Sequence, residues 1–300
     1  MKVLLAHDAS PGADEATALV AGTAWPAGST IRVISAVEPM MVGLTAWGAG
    51  AGGYSENIDL QIKEYYEEQL AEAVRRLDAP DRSVESAVIR GRPATFIVDE
   101  ARAFGADLVV VGSRGRGGVA SLVLGSVSSE VVDHAPCPVL VARTASVAGV
   151  LFATDGSPSA TAAQGLILDW PLFKGHPVTV VSVADVPQPL HTGIAPTMVA
   201  QAIEAYAEER KAAQAEHDRI ANDSAAALRA GGLDASAVTR VGDAAAEVIA
   251  AAQDAGADLI ILGSRGRTGL TRLLLGSVAR NVLHGSTASV LVVREGTTHD

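Results

Sequence analysis

Apolar residues in this chain fall into two alternating patterns. Short continuous runs such as Val109–Val111 and Leu259–Leu262 are bounded by Asp and Gly, as strands buried on both faces are. Between such runs lie longer stretches with helical spacing. In the first half the pattern predicts strands near 2–7, 30–37, 83–89, 107–112 and 138–142, with helices near 11–24, 57–77, 93–104 and 126–134. In the second half it predicts strands near 149–154, 177–184, 235–241, 258–262 and 289–293. A long helix near 198–230 is rich in Ala, Glu, Lys and Arg, all good helix formers. Alternating strands and helices imply an α/β fold, a parallel sheet covered by helices on both faces. Two segments break the regularity. Met41–Ser55 is glycine-rich and Val186–Thr197 carries Pro187, Pro189, Gly193 and Pro196; both read as mobile loops after a second strand, placed where a lid would be.

The two halves are copies. Residues 109–143 align with residues 260–294 without a gap, and His7-Asp8-Ala9-Ser10-Pro11 matches Thr154-Asp155-Gly156-Ser157-Pro158. A period this long is a domain duplication and not a solenoid. The expected domains are 1–144 and 149–300, joined by a short small-residue junction. The 300-residue length suits two domains, and a composition 48% hydrophobic supplies two cores.

Charge and cysteine content narrow the partners. A formal net charge of -11 disfavours general nucleic-acid binding. The single cysteine, Cys137, lies before an apolar run and reads as buried packing; with no internal disulfide possible, the cytoplasm is the expected compartment. No run reaches the length of a membrane span, and the chain opens on the strand-like Lys2–Leu5 without a signal-peptide pattern.

The candidate chemistry lies after the fourth strand of each half. Gly112-Ser113-Arg114-Gly115, nine residues and Gly125-Ser126 are repeated as Gly263-Ser264-Arg265-Gly266, nine residues and Gly276-Ser277. Glycines of this kind allow close approach and unusual backbone angles, and a helix that opens at Ser126 or Ser277 presents free N–H groups and a favourable dipole to an anion. Either serine is placed to cap its helix or to bond a phosphate oxygen. The competing reading is a strand-to-helix connection needing glycine only for tight turns. Neither loop contains the lysine of a Walker A motif, and no glycine run follows the first strand where a dinucleotide fingerprint would lie. Asp8 and Asp155 end the first strands, where a carboxylate could accept from ribose hydroxyls or an adenine amino group. Ser10-Pro11 and Ser157-Pro158 already look like N-cap and first helical residue, which leaves the aspartates without an evident structural task. Arg114, Arg116, Arg265 and Arg267 either pair with phosphates or are solvated. The histidines show no metal-ligand spacing.

Together, Gly-x-x-Gly, nine residues, Gly-Ser and an Asp ending strand one resemble the ATP-binding universal stress proteins, over nearly the whole chain as two domains. The resemblance implies five-stranded parallel sheets, Rossmann-like, ordered 3-2-1-4-5. It implies ATP, often with Mg²⁺, bound without strong turnover. It places the nucleoside on Asp8 and Asp155 and the adenine near Ala36 and Val183. The phosphates would meet Gly112, Arg114, Gly115, Gly125, Ser126 and Val127 in the first half. In the second they would meet Gly263, Arg265, Gly266, Gly276, Ser277 and Val278. A stress-response regulator with protein partners of unknown identity is implied. The alternatives are a weak ATPase or a phosphate- or nucleotidyl-transferring enzyme, and an assembly protein with a vestigial site.

The fifth strands, Val139–Val141 and Val290–Val293, are apolar and lie at sheet edges, which invites pairing. The resemblance implies that the halves pair through them, with homodimerisation of whole chains a further expectation. Small-angle scattering checks the intramolecular pair: two separated, independently tumbling lobes would rule it out.

Overall fold

A computed structural model of the chain describes residues 1–37, 51–115, 124–186, 196–267 and 275–296. The chain divides into two units, Met1–Ser146 and Val147–Asp300.

The first unit runs β1 (Lys2–Ala6), α1 (Pro11–Gly22), β2 (Ser29–Val37), α2 (Ala51–Leu77), β3 (Arg82–Arg90), α3 (Pro93–Phe104), β4 (Leu108–Gly112), α4 (Ser126–His134) and β5 (Val139–Ala142). Its strands are all parallel, in the order β3-β2-β1-β4-β5. The second unit runs β6 (Val150–Ala153), α5 (Pro158–Asp169), β7 (Val178–Ala184), α6 (Pro196–Ala230), β8 (Ala235–Val241), α7 (Ala244–Asp254), β9 (Leu259–Gly263), α8 (Ser277–Gly285) and β10 (Ser289–Val293), with a short 3-10 turn at Pro171–Phe173. Its parallel order is β10-β9-β6-β7-β8.

The central strands read as they do because both faces are covered. Every residue of β4 and β5 is buried, and α1 packs with α2 while α3 packs with α4. In the second unit α5 pairs with α6 and α7 with α8. Cys137 is buried, as the apolar run beside it suggests. The helix starts follow local chemistry. Ser10 caps α1 by accepting from Ala13 N–H, and Ser157 caps α5 by accepting from Ala160 N–H, each followed by proline at the first helical position.

The loop expectations need correction at their ends. Helix α2 begins at Ala51 and α6 at Pro196, so Ala51–Ser55 and Pro196–Thr197 are helical. Glycine and proline lower helix propensity, but a first turn tolerates both when the rest of a long helix is packed. The remainder of the two proposed lids, residues 41–50 and 187–195, lies outside the described residues, as does Arg116. Among the described residues no helix is long and apolar enough to cross a membrane.

Among the described residues, Phe152 of β6 and Phe173 are the largest fully buried side chains. Truncating Phe152→Ala should cost the second unit about 3–5 kcal/mol. Leu60, 53% exposed on α2, should tolerate alanine within about 0.5 kcal/mol. Denaturant titration of both variants against the native chain checks the contrast.

Candidate functional site

In each unit the chain leaves the first strand toward one side of the sheet, whereas the fourth strand lies on its other side. The crevice at the carboxyl ends of these two strands is the switch point where open α/β sheets hold ligands. Both repeated motifs converge there. In the first unit a Cβ on Gly115 would stand 2.7 Å from Asp8 Oδ2, and in the second a Cβ on Gly266 would stand 2.9 Å from Asp155 Oδ2. The fourth-strand loop therefore rests its backbone on the first-strand carboxylate. Gly112 lies equally tight against the start of α1, where its Cβ would meet Gly12 O at 2.7 Å, and Gly263 against Ala160 N at 2.8 Å. None of these glycines, nor Gly125 or Gly276, has a positive φ. The sequence expectation of unusual backbone angles is thus not met at the motif; close approach is what excludes a side chain.

The aspartates also have a structural task, contrary to the sequence reading. Asp8 Oδ1 accepts from Ser10 N–H at 3.1 Å, and Asp155 Oδ1 from Ser157 N–H at 3.0 Å. Asp155 Oδ2 further accepts from Arg267 N–H at 3.2 Å. The cap serines complete the lock, each donating its hydroxyl to the loop: Ser10 to Arg114 O and Ser157 to Arg265 O, both at 3.1 Å. The ends of the nine-residue excursions are closed by Gly125 N–H on Ser113 O and Gly276 N–H on Ser264 O.

The second helix of the motif differs from expectation in one respect. Gly125 and Gly276 are the N-cap residues, no side chain caps either helix, and Ser126 and Ser277 are the first helical residues. The first intrahelical bonds are those of Ser129 N–H to Gly125 O and Arg280 N–H to Gly276 O. The N–H groups of Ser126, Val127 and Ser128, and of Ser277, Val278 and Ala279, are left pointing out of the helix start.

In the second unit these parts enclose a cavity of about 590 Å³, within the usual range for small-ligand sites. All eight residues expected of that half, Asp155, Val183, Gly263, Arg265, Gly266, Gly276, Ser277 and Val278, border it. In the first unit Asp8, Gly112, Arg114, Gly115 and Gly125 are brought together in the same way, Ser126 and Val127 follow at the start of α4, and Ala36 is the last residue but one of β2, in register with Ile89 of β3. Arg265 borders the second cavity, and its buried Nε has no hydrogen-bond partner among the described residues. Arg267 also borders the cavity, its guanidinium 3.5 Å from Glu216 of α6. Sequence reasoning missed Asp185 and His217, which line the same space. His217 was detectable in principle, since it falls at helical spacing with the inward-facing Ala221, Ala225 and Leu228 of α6.

The turn before α1 carries a titratable acceptor that its copy lacks. Ala9 N–H donates to His7 Nδ1 at 3.3 Å, whereas in the second unit Gly156 N–H donates to Thr154 Oγ1 at 3.2 Å. The residue so held is left-handed in both: Gly156 has φ 73° and Ala9 φ 59°, a conformation costing a side chain about 1–2 kcal/mol. With Nδ1 accepting, neutral His7 carries its proton on Nε2, 3.8 Å from Asp14. Burial holds the His7 pKa below its ordinary value of 6.5, against the pull of Asp14 and Asp8. The folded pKa is thus the lower one, so the unfolded chain takes up the proton first. The stability this contributes is complete above pH 6.5 and is lost as pH falls toward the folded value. His7→Thr, which installs the residue type of Thr154, should remove that part of the acid sensitivity of the first unit. Denaturation midpoints of both proteins between pH 7.5 and about 5 check it.

Comparison with known proteins bears on the family and the fold. The model of the universal stress protein family matches residues 1–143 and again 149–294. A universal stress protein of Mycobacterium tuberculosis is 32% identical over 226 residues, spanning 71% of this chain and 70% of that protein. One from Thermus aquaticus is 38% identical over 141 residues, 47% of this chain and 97% of its own. Among solved structures, a universal stress protein from Archaeoglobus fulgidus superposes over 98% of both chains with a TM-score of 0.66 at 19% identity, which supports the fold. The chain belongs to the universal stress protein family and carries two of its domains in tandem.

Proposed function

We propose that each domain binds ATP at the carboxyl edge of its sheet, and that the chain is a nucleotide-dependent sensor or regulator in the stress response, acting through protein partners in the cytoplasm. The observation that carries this reading is the polarity of the second cavity. Its lining includes the start of α8, whose first N–H groups are uncapped, and Arg265, which together suit an anion. It also includes Asp155, Asp185 and His217, which supply hydrogen-bond acceptors. A nucleoside triphosphate has that polarity, with donors on its sugar and base and charge on its phosphates. Gly263, Arg265, Gly266, Gly276, Ser277 and Val278 would hold the phosphates, Asp155 the ribose, and Val183 the adenine. In the first domain Gly112, Arg114, Gly115, Gly125, Ser126 and Val127, with Asp8 and Ala36, take the same parts. Among the described residues no group of three or more His, Cys, Asp or Glu is arranged to hold a metal ion. Magnesium would therefore be carried largely by the phosphates themselves.

Calorimetry with a non-hydrolysable ATP analogue should give up to two bound per chain. Asp155→Ala should weaken the second site by about 1.5–3 kcal/mol, the value of a hydrogen bond to a charged group. Gly266→Val should abolish that site, because the new side chain meets Asp155 Oδ2. Native affinity in both variants would refute the site. Steady release of phosphate over many turnovers would move the protein to a weak ATPase or phosphate-transferring enzyme.

A further inference from the structure

Helix α6 passes the carboxyl end of β7 with its buried stripe of Ala221, Ala225 and Leu228 facing the sheet. One turn before Ala221 the same stripe carries His217, half-buried at the cavity wall. His217 Nδ1 lies 2.7 Å from Ser182 Oγ, and Ser182 Oγ lies 2.7 Å from the carbonyl oxygen of Thr154. These two distances assign every proton in the chain. A carbonyl only accepts, so the single hydroxyl proton of Ser182 goes to Thr154 O. The serine oxygen must then receive its other bond from the imidazole, which puts the His217 proton on Nδ1. In the neutral ring Nε2 is left as an acceptor without a partner among the described residues, and His217 borders the cavity.

The charges facing the ring come from four elements. Asp155 follows β6, Asp185 follows β7, Glu216 precedes the histidine on α6, and Arg267 reaches in from the loop after β9. Burial first, and then Arg267, hold the pKa of His217 below 6.5 against the opposing pull of Asp155 and Glu216. The ring is therefore neutral at pH 7, and its Nε2 becomes a donor only in acid.

Among its described residues the first domain carries different groups at these positions. Strand register places Ser35 of β2 where β7 has Ser182, and the matching last buried leucines, Leu77 and Leu228, place Tyr66 of α2 where α6 has His217. Ser35 is buried, and its hydroxyl has no hydrogen-bond partner among the described residues.

We propose that His217 is a ligand-contacting residue of the second domain alone: its Nε2, oriented by Ser182 and Thr154, accepts a hydrogen bond from an O–H or N–H on the sugar or base of the bound nucleoside phosphate. This rests on the nucleotide reading above. It makes the two sites inequivalent, because the second weakens as the imidazole is protonated and the first does not by this route.

The test uses the full chain carrying Gly115→Val to silence the first site, with an imido analogue of ATP as the probe, titrated by calorimetry from pH 8 to about pH 5. His217→Phe keeps a ring but no acceptor, and should lose roughly two- to tenfold in affinity at pH 7. His217→Gln offers an acceptor that does not titrate; it should keep most of the affinity and show only the pH dependence of the probe itself. Nitrogen-15 spectra of the free protein give a readout that needs no ligand: the ring should be the neutral Nδ1–H form at pH 7. A ring protonated on Nε2, or equal affinity of the native and Phe proteins at pH 7, overturns the inference while leaving the nucleotide site in place. Absence of probe binding by a folded chain with His217 intact overturns the nucleotide reading, and this inference with it.

Discussion

The approach of the loop after the fourth strand to the carboxylate after the first is the contact on which the site depends. Asp8 or Asp155 can touch both its own turn and the backbone of Gly115 or Gly266 only because the glycine has no Cβ. That approach brings the loop within reach of the cap serine, whose hydroxyl takes the carbonyl of Arg114 or Arg265. The next glycine, Gly125 or Gly276, then closes the excursion on Ser113 or Ser264 and starts a helix with no side-chain cap. One close contact thus sets the position of an acceptor, a turn of backbone and an open helix start. Such a site is largely formed before any ligand arrives, which favours affinity by reducing what binding must order.

The duplication preserved this contact and let its surroundings drift. His7 and Thr154 do the same job with different chemistry, one titratable and one not. Ala9 bears left-handed strain that Gly156 avoids. The hydroxyl of Ser182 is fully committed to Thr154 and His217, while that of Ser35 is not paired among the described residues. On the proposed nucleotide reading, the histidine differences would make the two sites answer differently to pH.

Much of this was legible in the residues themselves. Val109–Val111 and Leu259–Leu262 announced buried parallel strands, because strands covered on both faces lose the usual alternation. Ser10-Pro11 and Ser157-Pro158 announced their helix starts through local capping chemistry. The starts of α2 and α6 were not legible, since Gly52, Gly53 and Pro196 carry loop-like propensities that packing of the remaining turns overrides. Nor was the double task of the aspartates, because an Asx-type bond to Ser10 or Ser157 N–H depends on the turn the chain takes.

By itself the sequence determined two copies of an α/β domain, the strands that form each core, and which glycines and aspartates belong to one recurring constellation. These follow from periodicity, local capping and repetition, all of which act over a few residues or are visible by comparing the halves. Only the tertiary structure decided why Gly115 and Gly266 must be glycine, that His217 meets the hydroxyl of Ser182, and that Arg265 borders the same cavity as Asp155. Those facts depend on atoms from strands and helices far apart in the chain coming within a few ångströms of one another. A one-dimensional pattern of residue types carries no record of such distances.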